Sequence, residues 1–180
     1  MEKFGRTKCA VLAAFTTISI NSFTVPAFAQ DLVPLKLYWS NGVRDNFVTA
    51  TPQGESDAIG SGYKYIRTEA CVFRSQKAGL VPLNLYWSGA RAEKDNFTTA
   101  TTQGKSDAIG SGYSFVPTEG YVYSTQQPGT IPLKLYWSGH RTDRKDNFTT
   151  GTKEGTSDAL GSDYVFVRVE GYAYPVTKCQ

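Results

Sequence analysis

The chain is poor in the residue types that most catalytic and metal sites require. Its 180 residues include one histidine, His140, one methionine and three cysteines. A Ser-His-Asp set could be built only around His140, and no Cys/His cluster has the spacing of a metal site. We therefore expect a protein that is not an enzyme, with no cofactor and no metal site.

The chain also lacks an unbroken apolar run of the ~18 residues that a membrane-spanning helix needs. The basic residues Lys3, Arg6 and Lys8 precede an apolar stretch from Ala10 to Ile20. Ala27-Phe28-Ala29 then matches the small-x-small pattern of a signal-peptide cleavage site. These features predict a signal peptide over 1–29, a mature domain over 30–180, and a secreted or periplasmic protein.

A strong charge of either sign is missing as well. Removal of the signal peptide takes the 19 basic and 16 acidic residues of the whole chain to 16 and 15. A domain with a net charge of +1 offers no broad basic face for nucleic acid, and no basic amphipathic helix suits a membrane surface. We expect no nucleic-acid partner and no membrane insertion.

In place of these features the chain has three copies of one motif. Val33 to Ser40 reads Val-Pro-Leu-Lys-Leu-Tyr-Trp-Ser, and close copies begin at Val81 and Ile131. Asp-Asn-Phe-x-Thr, Ser-Asp-Ala-(Ile/Leu)-Gly-Ser and an aromatic segment around a Glu follow each copy. Since one such unit cannot bury its own apolar face, the copies must pack against each other. The repeats span about 33–80, 81–130 and 131–180.

The patterning of each repeat predicts four short strands and a short helix. Leu-x-Leu-Tyr-Trp alternates as a strand, Asn-Phe-Thr-Thr returns as the second arm of a hairpin, and two more strands flank the Glu. Thr51 is the predicted N-cap of the helix, followed by Pro52, and Gly60 or Gly62 ends it. Twelve strands predict an all-β, three-fold pseudosymmetric closed fold. A β-trefoil with a short helix in each repeat has this strand count, and a propeller-like ring is the alternative.

Two cysteines remain after the predicted cleavage. Cys71 occupies the repeat position of Tyr121 and Tyr172, and Cys179 follows the last copy. In an exported protein such a pair is expected to form a disulfide. The bond would tie the first repeat to the C-terminus.

The repeat resembles a family of tandem repeats found in secreted bacterial proteins. The string that carries the likeness begins Pro-Leu, continues Leu-Tyr, Asp-x-Phe-x-Thr and Gly-Tyr, and ends Glu-Gly-Tyr-Val, and it covers Pro34 to about Tyr174. Copies in that family often read Gly-Asp-His-Phe where this chain has Asp-Asn-Phe. The resemblance implies an extracellular binding or adhesion module similar to β-trefoil lectins, with no assigned chemistry.

Two dipeptides in each repeat are candidates for ligand binding. An exposed aromatic face can hold a sugar, but Trp39 alternates with Leu35 and Leu37, which favours a core position for Trp39 and an outward Tyr38. An Asp-Asn pair offers acceptors and donors that match vicinal hydroxyls, or it caps a turn. The candidate ligand-binding residues are Tyr38, Trp39, Asp45, Asn46, Tyr86, Trp87, Asp95, Asn96, Tyr136, Trp137, Asp146 and Asn147.

Other acidic residues that recur in the repeats are given structural roles. We place Asp57, Asp107 and Asp158 in the first turn of the helices. Glu69, Glu119 and Glu170 lie among aromatic residues and need hydrogen-bond partners there. A glycosidase pair such as Asp45 with Glu69 would have to exist in three copies, which argues against it.

Two functions remain open from the sequence. The first is a secreted lectin-like module whose three weak sites bind glycans on a cell surface or matrix. The second is a module that binds a protein, acting as an inhibitor or as a targeting or adhesion unit for another exported protein. Sugar sites should recur in all repeats, as Tyr-Trp and Asp-Asn do here, whereas an inhibitory loop should be unique. The recurrence favours the lectin.

Overall fold

The protein is mostly antiparallel β-sheet with three short helices. A computed structural model describes residues 31–89, 94–139 and 145–179. The predicted signal peptide and His140 lie outside these residues. Within them the order strand, strand, helix, strand occurs three times, which agrees with the sequence repeats.

The elements have the following bounds. The first repeat contains β1 (Leu32–Ser40), β2 (Asp45–Thr49), α1 (Pro52–Gly60) and β3 (Lys64–Phe73). The second contains β4 (Leu80–Trp87), β5 (Asn96–Thr99), α2 (Thr102–Gly110) and β6 (Ser114–Tyr123). The third contains β7 (Ile131–Trp137), β8 (Asn147–Thr150), α3 (Lys153–Gly161) and β9 (Val165–Ala173), and a 3₁₀ turn follows (Val176–Lys178).

The described residues form nine strands, not the twelve that we expected. The two strands predicted on either side of Glu69 are one continuous strand, β3, which pairs with β1 from Lys64 to Phe73. Register shifts between Leu35 and Lys36 and between Leu37 and Tyr38 absorb the irregularity. The Thr-Glu segment that we expected to separate two strands is thus a bulged stretch of strand. With three strands in each repeat, the count that suggested a β-trefoil is not met.

In each repeat the first strand lies between the other two. β1 pairs with β2 and β3, β4 with β5 and β6, and β7 with β8 and β9, all antiparallel. Single residue pairs then join the long third strands: Phe73 with Tyr121, Tyr123 with Tyr172, and Tyr174 with Cys71. Each repeat therefore contacts both of the others.

The predicted disulfide between Cys71 and Cys179 is present. Their Cα atoms are 5.7 Å apart and the bond spans 108 residues of sequence. The backbone amide of Cys71 donates to the carbonyl of Tyr174 over 2.8 Å, and Tyr174 donates back over 3.0 Å. The C-terminal segment is therefore attached to the first repeat by hydrogen bonds and by a covalent bond.

The predicted helix is confirmed, including its N-cap. The side chain of Thr51 accepts a hydrogen bond from the amide of Gly54, and Pro52 occupies the first turn. Gly62 has a φ of +83° just after the helix, which is the left-handed conformation that ends many helices. A Cβ on Gly54 would lie 2.0 Å from Oγ1 of Thr49, so close packing of α1 on β2 explains this internal glycine.

The core lies between the repeats and consists of equivalent residues from each of them. Leu35, Leu83 and Leu133 are fully buried, as are Val72 and Val122. Two smaller clusters consist mainly of residues of the first or the second repeat, and each includes a leucine of the next repeat, Leu85 or Leu135. Among the described residues, each apolar cluster therefore combines more than one repeat. None of the helices formed by the described residues is long and apolar enough to cross a membrane.

Candidate functional site

The tryptophans are on the surface, not in the core. Trp87 and Trp137 are 41% and 37% exposed, and Trp39 is half-buried. The neighbouring Tyr38, Tyr86 and Tyr136 are buried. The expectation of a core Trp39 and an outward Tyr38 is therefore wrong.

A bulge explains why the alternation of side chains misled the prediction. In β1 both Leu37 and Tyr38 are buried, although consecutive residues of a regular strand face opposite sides. The register of β1 against β3 shifts between these two residues, and that of β7 against β9 shifts at the equivalent place. Every residue beyond the shift changes face. The indole of Trp39 is consequently turned toward solvent.

Each tryptophan lies in a groove between two repeats. Groove 1 contains Trp39 and has a volume of about 200 Å³, groove 2 contains Trp87 and measures about 520 Å³, and groove 3 contains Trp137 and measures about 830 Å³. The strand that carries the tryptophan forms one wall. A helix of a different repeat forms the other wall: α1 in groove 2, α2 in groove 3 and α3 in groove 1.

The three grooves are lined by the same residue types. In groove 2, Trp87 and Asn96 come from the second repeat, whereas Asp57, Ser61 and Tyr63 come from the first. Grooves 1 and 3 have the same five residue types at equivalent positions. These residues are Trp39, Asn46, Asp158, Ser162 and Tyr164 in groove 1, and Trp137, Asn147, Asp107, Ser111 and Tyr113 in groove 3.

The Asp-Asn dipeptides join the repeats to each other. Asn96 donates from Nδ2 to Oδ2 of Asp45 over 2.7 Å, across the boundary between the first and second repeats. Asn147 donates in the same way to Asp95 over 2.7 Å, and Asn46 donates to Asp146 over 2.9 Å. The second repeat thus donates to the first and the third repeat donates to the second. The bond from Asn46 to Asp146 connects the first repeat to the third and closes the ring. We call these six residues the Asp-Asn ring.

The aspartates of this ring are buried and each accepts a further hydrogen bond from a tyrosine. Tyr63 donates to Asp45, Tyr113 to Asp95, and Tyr164 to Asp146. Burial raises the pKa of Asp45 well above its usual range, and the carboxylates of Asp146 and Asp95 raise it further. Burial also raises the pKa of Asp95 and the pKa of the Tyr113 hydroxyl. These shifts favour retention of a proton among the clustered carboxyl groups.

Among the described residues, these three carboxylates are the acidic group whose oxygen atoms lie close enough together to hold a cation. One oxygen from each of Asp45, Asp95 and Asp146 lies within 4.8 Å of the others. The tyrosine hydroxyls and asparagine amides already donate to these oxygens, so hydrogen bonding accounts for the cluster. Direct contact with a surface ligand does not fit carboxylates that are about 1% exposed.

A second polar network runs between the repeats through the recurring glutamates. Glu69 accepts from Oγ1 of Thr150 over 2.5 Å and of Thr152 over 2.6 Å. Glu119 accepts from Thr49 and Glu170 from Thr99 in the same manner. The glutamates are fully buried, which agrees with the structural role that we assigned to them.

The helix aspartates are not in the first turn, contrary to the prediction. Asp57 is the sixth residue of α1 and faces groove 2. Asp158 and Asp107 line grooves 1 and 3 and also accept hydrogen bonds from arginines, Arg67 over 2.7 Å and Arg168 over 2.8 Å. The start of each helix is set by its capping threonine, which moves the aspartate one turn further along.

The structure divides the predicted ligand-binding residues into two groups. Trp39, Trp87 and Trp137 line the grooves together with Asn46, Asn96 and Asn147, whereas the paired tyrosines and aspartates lie behind them. The sequence analysis missed the serine at the end of each helix and the arginines of grooves 1 and 3. The recurring Gly-Ser after each helix was a signal for the serines.

Comparisons of the chain with models of protein families, with curated proteins and with solved structures find no match. The function must therefore be argued from the grooves themselves.

Proposed function

We propose that this protein is a secreted carbohydrate-binding module, similar to a lectin, with one weak site in each of its three grooves. The observation that carries the proposal is that Trp39, Trp87 and Trp137 each line a groove beside the same asparagine, serine and aspartate. Trp87 and Trp137 are exposed and Trp39 is half-buried. The proposal includes no catalytic residue and no cofactor.

The chemistry of the grooves supports a sugar better than an extended apolar ligand. The flat face of an indole packs against the C–H groups of a pyranose ring. A serine hydroxyl and a helix aspartate on the opposite wall supply a donor and acceptors for sugar hydroxyls. In groove 2 these groups are Trp87, Ser61 and Asp57.

The repetition of the grooves supports multivalent binding. Three sites on one rigid protein can engage a glycan-coated cell surface or matrix together, which multiplies weak affinities. We include in the proposal a closed three-fold arrangement of the repeats, supported by the cyclic hydrogen bonds of the Asp-Asn ring. With three strands in each repeat, a three-fold ring is a better description than a standard β-trefoil.

Export to an oxidising compartment is also part of the proposal. It is supported by the disulfide between Cys71 and Cys179 and by the sequence pattern over 1–29. The resemblance to tandem repeats of secreted bacterial proteins agrees with this location.

A glycan array followed by calorimetric titration tests the proposal. The parent protein should bind one class of glycans selectively, and the variant with Trp39→Ala, Trp87→Ala and Trp137→Ala should not bind. Phe115→Ala is the matched control, since Phe115 is an exposed aromatic residue that does not line a groove. Equal binding by the parent and the triple variant would contradict the proposal.

One observation favours a protein partner as the second candidate function. The start of each third strand and the end of each helix expose apolar side chains, as Phe115, Val116 and Ile109 do in the second repeat. Exposed apolar side chains often contact other proteins where they form a patch. A silent glycan array, with loss of binding to a co-secreted protein in Phe115→Ala, would support this function instead.

A further inference from the structure

One wall of groove 2 differs from the same wall in grooves 1 and 3. Arg67 and Arg168 each precede a buried glutamate by two residues in the third strand of their repeats. The equivalent position in the second repeat is Pro117. The difference replaces a long cationic side chain with a short ring.

The two arginines make the same contacts in their grooves. Nε of Arg67 donates to Oε1 of Glu69 over 2.7 Å, and Nη1 donates to Oδ2 of Asp158 over 2.7 Å. Arg168 donates to Glu170 and Asp107 over 2.7 and 2.8 Å. In both grooves a guanidinium group thus connects a buried glutamate to an aspartate on the facing helix.

In groove 2 the two acceptors are present, but Pro117 cannot supply the donor. Glu119 is 2% exposed, and its Oε2 accepts from Oγ1 of Thr49 over 2.7 Å. Its Oε1 has no hydrogen-bond partner among the described residues. Because a buried carboxylate oxygen without a partner costs free energy, this atom points to a donor that comes from outside the chain.

The facing acceptor is Asp57. Oδ1 of Asp57 accepts from Gln53 over 2.8 Å, just as Oδ1 of Asp107 accepts from Gln103. The other oxygen of Asp107 binds Arg168. By equivalence, Oδ2 of Asp57 is the second acceptor for a guanidinium group in groove 2.

The space for such a group is part of groove 2. This groove extends to Gly54 in the first turn of α1 and is lined there by Asp57 and Pro117. In the second repeat, by contrast, a Cβ on Gly104 would lie 2.9 Å from Nη2 of Arg168, so the arginine covers that glycine. Groove 2 is therefore open where groove 3 is filled by a side chain.

We propose that groove 2 contains a binding subsite for the guanidinium group of an arginine side chain presented by a peptide or protein. Oε1 of Glu119 and Oδ2 of Asp57 accept its hydrogen bonds. A planar guanidinium group can donate to two such acceptors at once. The exposed face of Trp87 in the same groove favours a cation as well. Lys94 also lines the groove and opposes cation binding, but one lysine does not balance two carboxylates.

Binding of a cation at this subsite should lower the pKa of Glu119. Burial raises the pKa of Glu119, and the hydrogen bonds from Thr49 and Ala50 only partly offset the effect. A bound guanidinium group would favour the ionised form, as an opposite charge nearby does in general. The subsite shares Trp87 and Asp57 with the proposed sugar site of groove 2, but the arginine probe tests it without a carbohydrate.

Titration with N-acetyl-arginine methylamide tests the subsite. We would follow the indole resonances of the three tryptophans in the NMR spectrum. Saturable binding at one site per chain, with a shift of the Trp87 resonance and not of Trp39 or Trp137, is the expected result. The isosteric N-acetyl-citrulline methylamide, which carries no charge, should bind at least about tenfold more weakly. Equal affinity for the two probes, or equal shifts of all three indoles, would overturn the proposal.

Two variants locate the subsite. Pro117→Arg supplies the guanidinium group from the chain itself and should abolish binding of the arginine probe. Asp57→Asn leaves the buried residues unchanged and should weaken binding at least about fivefold. The second variant keeps the test decisive if Pro117→Arg does not fold. Undiminished binding by a folded Pro117→Arg or by Asp57→Asn would overturn the assignment.

Two further probes distinguish an arginine side chain from a lysine side chain and from an amino sugar. N-acetyl-lysine methylamide and glucosamine both carry an ammonium group, which cannot donate in the forked geometry of a guanidinium. The arginine probe should bind more tightly than either. Tighter binding of glucosamine at the Trp87 indole would overturn the proposal and assign groove 2 to an amino sugar.

Discussion

Asn96 of the second repeat donates a 2.7 Å hydrogen bond to Asp45 of the first, and both side chains are buried. The equivalent bonds connect the second repeat to the third and the third to the first. A feature that we interpreted from the sequence as a sugar site or a turn therefore holds the repeats together. The asparagines connect the repeats and also line the grooves.

Removal of one carboxylate from the Asp-Asn ring should destabilise the whole domain. Asp95→Ala leaves the hydroxyl of Tyr113 and the amide of Asn147 without their acceptor in a buried position. We expect the free energy of unfolding to fall by about 2 kcal/mol or more. Urea unfolding measures the change.

The control for this variant is Glu154→Ala, which removes an exposed carboxylate from α3. Its free energy of unfolding should stay within about 0.5 kcal/mol of the parent. If Asp95→Ala were as stable as the parent, the ring would have no structural role.

The stability of the protein should depend on pH through the same ring. The pKa of Asp45 and the pKa of Asp95 are raised in the folded protein, first of all by burial. A carboxyl of this kind stabilises the fold while it is protonated. Its contribution is fully present below the unfolded pKa of about 4 and is lost as the pH rises through the folded pKa.

We therefore expect this contribution to weaken as the pH rises above about 4. Asp95→Asn cannot ionise at this position, so its stability should fall less steeply with pH than that of the parent. Unfolding curves of both proteins across this range give the difference between their slopes. Parallel curves would show that Asp95 does not titrate in the folded protein within the range.

The sequence predicted the repeats, the helix with its capping threonine, and the disulfide. The cap depends on local chemistry, because the hydroxyl of Thr51 can reach Gly54 within one turn. The disulfide was predicted from the cysteine count, since two cysteines remain after the predicted cleavage. The strand count was wrong because the polar Thr68 and Glu69 interrupt the run of apolar and aromatic residues. Their place in a strand depends on pairing with β1 and on the hydrogen bonds of Glu69 to Thr150 and Thr152, far away in sequence.

The same limit applies to the candidate site. The sequence indicated Trp39 as an aromatic candidate, but its direction depends on a bulge that arises from pairing with β3. The burial of Asp45 depends on Asn96, 51 residues away. Pro117, in contrast, was visible as a departure from Arg67 and Arg168 in the aligned repeats. Only the contacts of the two arginines show what that departure removes.

A methyl group at one glycine of α2 should destabilise the protein, whereas the same change at another should not. A Cβ on Gly104 would lie 1.9 Å from Oγ1 and 2.8 Å from Cβ of Thr99, so the helix must shift from β5. We expect Gly104→Ala to lower the free energy of unfolding by about 1–3 kcal/mol.

Gly110 ends the same helix and has no heavy atom within 4 Å of an added Cβ. Gly110→Ala should therefore leave the stability unchanged or raise it by about 0.5–1 kcal/mol through helix propensity. Thermal unfolding of the two variants beside the parent makes the comparison. Similar effects at both positions would contradict the close packing of α2 on β5.

Loss of the disulfide should destabilise the domain without changing its fold. The bond closes a loop of 108 residues, and the hydrogen bonds between Cys71 and Tyr174 remain when the bond is absent. We expect Cys71→Ala with Cys179→Ala to lower the free energy of unfolding by about 2–4 kcal/mol. Reductant should destabilise the parent by a similar amount and leave the double variant unchanged. A parent that is insensitive to reductant under unfolding conditions would contradict the expected contribution.

The three grooves should act independently in solution and together on a surface. Each single Trp→Ala change at Trp39, Trp87 or Trp137 should remove one site, which calorimetry with a free oligosaccharide reports as a lower stoichiometry at unchanged affinity per site. On a glycan-coated surface the parent should bind about 10²–10⁴-fold more tightly than a double variant with one remaining tryptophan. Phe166→Ala, an exposed aromatic residue outside the grooves, controls for general loss of apolar surface. If one single variant abolished all binding while the other two had no effect, the protein would have one site, and the repetition of the tryptophans would be structural.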